Sequence, residues 1–164
     1  MVQLLPENII LHCSATPDGR TFSWGAIRRY HIERNGWSDI GYHYGIEEYE
    51  DGIVLLQGRS PWVQGAHCRA GGRNRDSLGV CVVGCFDEVP PSPDLYLVTV
   101  MTLRYLSYTF GIPPERIYGH REFESQKTCP GLKWNLPELR ADVGRGLHSH
   151  PEVGYYMPLE FLGG

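Results

Sequence analysis

Hydrophobic and polar positions along this chain repeat with periods that change from segment to segment, and the changes mark out its elements. Residues 8–12, Asn-Ile-Ile-Leu-His, form a short apolar run that predicts a buried strand. A polar turn with Pro17, Asp18 and Gly19 follows. Trp24, Ile27 and Tyr30 or His31 then recur at helical spacing, with Ser23 as N-cap and Gly36 as stop signal. Residues 42–49 and 52–57 are β-prone, and Asp51-Gly52 between them signals a hairpin. Residues 77–86 are apolar at nearly every position, as a strand in the middle of a sheet would be. After Pro90-Pro91-Ser92-Pro93, a 3.6-residue period through Leu95, Val98, Met101 and Tyr105 predicts a helix over 94–110, stopping before Gly111 and Pro113. Residues 116–119 are short and extended, and Asn135 opens a last helix with Pro137 in its first turn. The stretch 148–164 has no periodicity and reads as a C-terminal tail. Strands and helices interleave without strict alternation. The fold class expected is therefore α/β, one domain over residues 1–147 with a mixed central sheet flanked by helices.

Composition narrows the field. The 164 residues suffice for one domain with a proper core, and 41% hydrophobic with 21% charged residues is ordinary for a soluble globular protein. No apolar stretch approaches the ~20 residues that span a bilayer, so membrane insertion is not expected. The N-terminal segment carries no cationic stretch ahead of an apolar one, and the product is expected to stay in the cytoplasm until something releases it. A formal charge of −4 argues against direct nucleic-acid binding. Arg69, Arg73 and Arg75 form a local basic cluster, either a solvated face or the rim of a groove for an anionic substrate. The five cysteines favour free thiols or metal ligands over a disulfide framework. Cys81 and Cys85 lie in the apolar run and are expected in the core. Cys13 and Cys68 can be read as reactive or as buried, whereas Cys129 has the surroundings of a chemical site.

His12 ends an apolar run, and His120 and Cys129 flank a short polar loop. Catalytic zinc usually takes three ligands from His, Cys or a carboxylate and keeps a fourth position for water, a pattern these three residues fit.

Five blocks, in order, carry a resemblance. They are His-Cys-Ser-Ala-Thr (12–16), Gly-Trp…Ile-Gly-Tyr-His-Tyr (36–44), Gly-Ala-His (65–67), Ser-Leu-Gly-Val-Cys-Val-Val-Gly (77–84) and Gly-His-Arg…Lys-Thr-Cys-Pro-Gly (119–131). Over residues 8–143 the chain resembles the zinc-dependent N-acetylmuramoyl-L-alanine amidases of the amidase type 2 and peptidoglycan recognition protein superfamily, and most of all the short phage lysozyme-type amidases. The resemblance implies an α/β architecture and a Zn2+ ion held by His12, His120 and Cys129. It implies catalytic roles for Lys127, near the developing oxyanion, and for Tyr42, beside the metal. It makes His67 a substrate-binding cleft residue, and Arg69 is assigned to the same substrate-binding set. Some recycling amidases of the superfamily carry a glutamate in the strand that here reads Val80-Cys81-Val82, and its absence favours Tyr42 as the polar partner. Glu122 and Glu124 stay outside candidates. His31 and His43 read as structural, and His148 and His150 lie near the tail.

The implied function is hydrolysis of the amide between N-acetylmuramic acid and L-alanine in peptidoglycan by a monomeric phage or prophage endolysin. It would wait in the host cytoplasm and reach the periplasmic cell wall through a lesion made by a holin-like partner. Two other readings are a binding or regulatory protein of the same fold, for example one acting on a phage RNA polymerase, and a cytosolic muropeptide-recycling amidase.

Overall fold

Strand β1 (Asn8–Cys13) is buried at all six positions, and the sheet is built around it. In this computed structural model, which describes residues 3–16 and 23–145, β1 lies between two parallel neighbours, β4 (Ser77–Val82) and β5 (Ile117–Gly119). Strands β2 (Tyr44–Tyr49) and β3 (Gly52–Gln57) form the expected hairpin, and β2 joins β4 in parallel. The order is β3-β2-β4-β1-β5, a mixed five-stranded sheet.

Alternation along the strands divides the core between two faces. Ile9 and Leu11 of β1, with Leu78, Val80 and Val82 of β4, join the main core under helices α2 (Pro93–Phe110) and α3 (Leu136–Arg145). Helix α2 starts at Ser92, whose hydroxyl accepts from Leu95 N at 3.1 Å, and ends at Gly111 in the left-handed region (φ 65°). It buries Leu95, Thr99, Val100, Leu103 and Leu106. Of the positions expected to face the core only Leu95 is fully buried, while Val98 and Tyr105 are half-buried and Met101 is exposed, because the buried face is rotated from the expected one. Helix α3 buries Leu136, Leu139 and Val143. On the other face, helix α1 (Trp24–Glu33) is capped by Ser23 and buries only Trp24, in a smaller cluster with Ile40, Cys81 and Val83. His12 follows Leu11, so its side chain points to this second face.

Three details depart from the sequence expectations. Strand β2 begins at Tyr44, so Tyr42 and His43 sit in the segment leading into it. Strand β4 ends at Val82; Cys81 is buried as expected, but Cys85 is exposed and is not a core residue. The chain leaves the sheet at Gly84 (φ 140°), where a Cβ would stand 2.7 Å from the Phe86 ring. The basic cluster folds as a 3₁₀ turn, Ala70–Arg75, with Gly71 and Gly72 at positive φ. The turn around Pro17, Asp18 and Gly19 and the tail at 148–164, with His148 and His150, lie outside the described residues. Among the described residues no helix is long and apolar enough to cross a membrane.

Candidate metal centre

Parallel pairing of β1 with β5 places Leu11 beside Gly119, so the next residue of each strand brings His12 beside His120. Their rings lie 4.6 Å apart, centroid to centroid. Cys129 returns to the same strand ends. Its Sγ accepts from Cys13 N at 3.3 Å, and its carbonyl accepts from Arg121 N at 2.7 Å. Arg121 also donates to the carbonyls of Gly131 and Trp134, tying the loop to its own return. The donor atoms of His12, His120 and Cys129 all lie within 4.8 Å of one another, and His12 Nδ1 is 3.6 Å from Cys129 Sγ. Tetrahedral zinc with the usual Zn–S and Zn–N lengths sets sulfur and nitrogen about 3.5 Å apart. The observed spacing fits that ion.

The buried histidines behind this group form a hydrogen-bonded row. His67 Nε2 faces the carbonyl of Ser77 at 3.4 Å, and His67 Nδ1 meets His12 Nε2 at 3.0 Å. With the carbonyl as terminal acceptor, each imidazole carries its hydrogen on Nε2, and His12 keeps its Nδ1 lone pair toward Cys129. His67 is thus buried with both nitrogens engaged, rather than standing in an open cleft. It fits there because Gly65 and Gly79 have no side chains; a Cβ at either would come within 2.5 Å of its ring. Asn74 Oδ1 accepts from His67 N at 2.7 Å and from Cys68 N at 2.8 Å, holding the segment in place. His43, fully buried, accepts from Gly79 N at 2.8 Å and donates to the Val63 carbonyl at 2.9 Å, the structural role expected of it. His31 accepts from Gly41 N, likewise a packing role.

Electrostatics favours neutral rings. Burial, reinforced by neighbouring His67 and His120, pushes His12 well below the usual histidine range. Burial brings His67 to about 3 and His43 to about 4. His120 is also lowered by burial, with Glu124 opposing. The shared hydrogen bond with Cys13, then burial, pushes the Cys129 thiol up, so its deprotonation would accompany cation binding.

Around the group stand the remaining sequence candidates. The Tyr42 ring lies 5.2 Å from that of His12, and burial raises its phenol well above 10, which keeps the proton on its oxygen. Lys127 Nζ pairs with Glu124 Oε2 at 3.2 Å, while Glu124 Oε1 lies 3.0 Å from His120 Nε2. Glu122 instead accepts from Gly119 N at 2.8 Å and pairs with Arg140 of α3 at 3.1 Å. Cys68, His120 and Glu124 form a second group of donors within 4.8 Å, sharing His120 with the first. Cys13 and Cys68 are both buried, which decides the alternative left open for them. Arg69 is exposed just ahead of the 3₁₀ turn, and Arg73 packs its guanidinium over the Phe123 ring at 5.5 Å. The sequence reading did not single out Asn74, which carries no motif, or Glu124 as a bridge between two named residues.

Known proteins are similar to this chain in sequence, and others in fold. The chain is 42% identical over 82 residues to the endolysin of Enterobacteria phage T3, a match spanning half of each protein. To the endolysin of Klebsiella phage KP32 it is 42% identical over 144 residues, covering 81% of this chain and 88% of that one. Among solved structures it is similar to the endolysin N-acetylmuramoyl-L-alanine amidase LysCS from Clostridium intestinale URNW. There the TM-score is 0.72 and the identity 26%, over 85% of this chain and 84% of the other. The family model described as N-acetylmuramoyl-L-alanine amidase matches residues 3–132, a span that contains every side chain of the metal group and its histidine row. On that match, the chain belongs to the N-acetylmuramoyl-L-alanine amidase family.

Proposed function

We propose that this chain is a zinc-dependent hydrolase of the amide bond joining the lactyl group of N-acetylmuramic acid to L-alanine in peptidoglycan, acting as a phage endolysin. The observation that carries the reading is the 3.6 Å separation of His12 Nδ1 and Cys129 Sγ, with His120 completing a three-donor set. Three protein ligands leave a tetrahedral ion one position open, the arrangement of hydrolytic rather than structural sites. A zinc ion held by His12, His120 and Cys129 would supply an activated water and polarise the scissile carbonyl.

The chain's own groups divide the remaining work. His12 and His120 present neutral nitrogens because burial disfavours their charged forms. The protonated Tyr42 phenol, beside His12, can donate a hydrogen bond to the carbonyl oxygen as negative charge develops there. Lys127, half-exposed and two residues before Cys129, holds positive charge close enough to be felt by His12 and His120. His67 acts behind His12 rather than on substrate, fixing its tautomer. Arg69, exposed at the chain's basic turn, is assigned to the anionic wall polymer.

Murein is the substrate proposed, and the enzyme reaches it after a membrane lesion lets it out of the cytoplasm. Val80, Cys81 and Val82 in buried β4 bring no carboxylate to the site, which favours this reading over muropeptide recycling. The test is digestion of purified sacculi: new L-alanine N-termini should appear, disappear with a chelator and return with zinc. Full activity in His120→Ala would overturn the metal assignment.

A further inference from the structure

Glu124 occupies a place that neither the metal set nor the proton-donating groups require. Its two oxygens are divided between two different residues: Oε1 lies 3.0 Å from His120 Nε2 and Oε2 lies 3.2 Å from Lys127 Nζ. Backbone hydrogen bonds hold it in register, from Phe123 N and Glu124 N to the His120 carbonyl and from Lys127 N to the Glu124 carbonyl. Positions 120, 124 and 127 are therefore successive stations of one tight turn, not mobile surface groups that happen to meet. His120 is almost completely buried, so its Nε2–H needs an acceptor, and Glu124 is the acceptor the structure supplies.

We propose that Glu124 is a positioning residue that serves both halves of the site with one carboxylate. Through Oε1 it keeps the hydrogen of His120 on Nε2 and directs the Nδ1 lone pair toward the metal group. Through Oε2 it holds the Lys127 ammonium near the reacting carbonyl. A carboxylate behind a metal-binding histidine raises ligand basicity and fixes ring orientation, and loss of such a partner typically weakens metal binding 10–100-fold. His12 and His120 are then oriented by different means, the first by a buried imidazole backed by a carbonyl and the second by a charged carboxylate. This proposal rests on the zinc-amidase reading above.

The two functions of Glu124 separate in a pair of variants. Glu124→Ala removes both contacts, whereas Glu124→Gln keeps a carbonyl oxygen for the imidazole N–H but no charge for the ammonium. Zinc affinity is measured by competition with a chromophoric chelator, and turnover on murein at saturating zinc, with melting temperatures to confirm the fold. The expected result is zinc affinity down 10-fold or more in Glu124→Ala but within about threefold of wild type in Glu124→Gln. The rate should fall by about 10-fold in both, with little change when either is added to Lys127→Ala. Zinc affinity and rate within twofold of wild type in Glu124→Ala would overturn the proposal. Wild-type protein that binds no zinc, or retains activity without it, would instead sink the amidase reading itself, so the two failures are distinct.

Discussion

The two halves of the sheet do different jobs, and their burial records it. Strands β1 and β4 are buried at every position, and with β5 they present their C-terminal ends as neighbours. Strand β2 is buried only at Gly45, Ile46 and Glu47 before running out to exposed positions, and β3 has no buried residue. The three-donor group sits on the first half. A metal group needs ligand atoms fixed to a few tenths of an ångström, and the fully buried strand β1, paired on both sides, supplies that rigidity where a partly exposed hairpin cannot. The hairpin contributes indirectly. Buried Glu47 of β2 accepts from Trp24 N at 3.0 Å and from the Tyr49 hydroxyl at 2.6 Å, anchoring α1 against the face from which Tyr42 and His12 emerge.

The comparison can be broken most severely at the strand ends. On the proposed function, Cys129→Ser or His120→Ala should lower murein hydrolysis by about a thousandfold or more, because the ion expected to supply the nucleophile would be lost. Metal content and activity should fall together while circular dichroism stays unchanged. Lys127→Ala and Tyr42→Phe come next, each lowering kcat by about 10²-fold with zinc retained, because each removes one oriented donor or charge. Steady-state kinetics with metal analysis separates these from the ligand variants.

His43 marks the seam between the halves and should reveal itself through pH. Its folded pKa is depressed to about 4 by burial, against about 6.5 when unfolded. Between these values only the unfolded chain takes up the proton. The stabilisation is therefore complete above about pH 6.5 and is lost as pH falls toward 4, by about 3 kcal/mol in all. Denaturant titrations of zinc-free protein at pH 7.5 and 5 should show about 2 kcal/mol of this loss from His43, with further loss from buried His67 and His12, and His43→Gln should reduce the slope. At the far edge, Val54→Thr on β3 should change stability by less than about 0.5 kcal/mol and leave turnover untouched.

Much of this division was legible in the sequence. The all-apolar run at 77–86 announced a central strand, and the Asp51-Gly52 pair announced the hairpin, because burial on two faces and turn chemistry both leave local marks. The grouping of His12, His120 and Cys129 was legible through the resemblance carried by the five ordered blocks rather than through spacing, and the fold brings their donor atoms within 4.8 Å of one another. What was hidden depends on contacts between segments distant in sequence. Cys85 looks like a core residue by hydropathy, but Gly84 turns the chain out first. His67 looks like a cleft residue by its motif, yet the space left by Gly65 and Gly79 draws it behind His12. Asn74 and Glu124 gain their importance only from partners that the fold brings to them.

Arg140 belongs to the final described helix, far along the chain from the strand that introduces His120. It donates to the Ile117 carbonyl at 2.9 Å and grips Glu122, the residue that closes the backbone at Gly119. Helix α3 is consequently a brace on the turn that carries His120, not merely a cover on the core. Nicking or shortening it should loosen the His120 turn together with the core that Leu139 and Val143 help to fill, making this helix a poor place to graft a fusion partner.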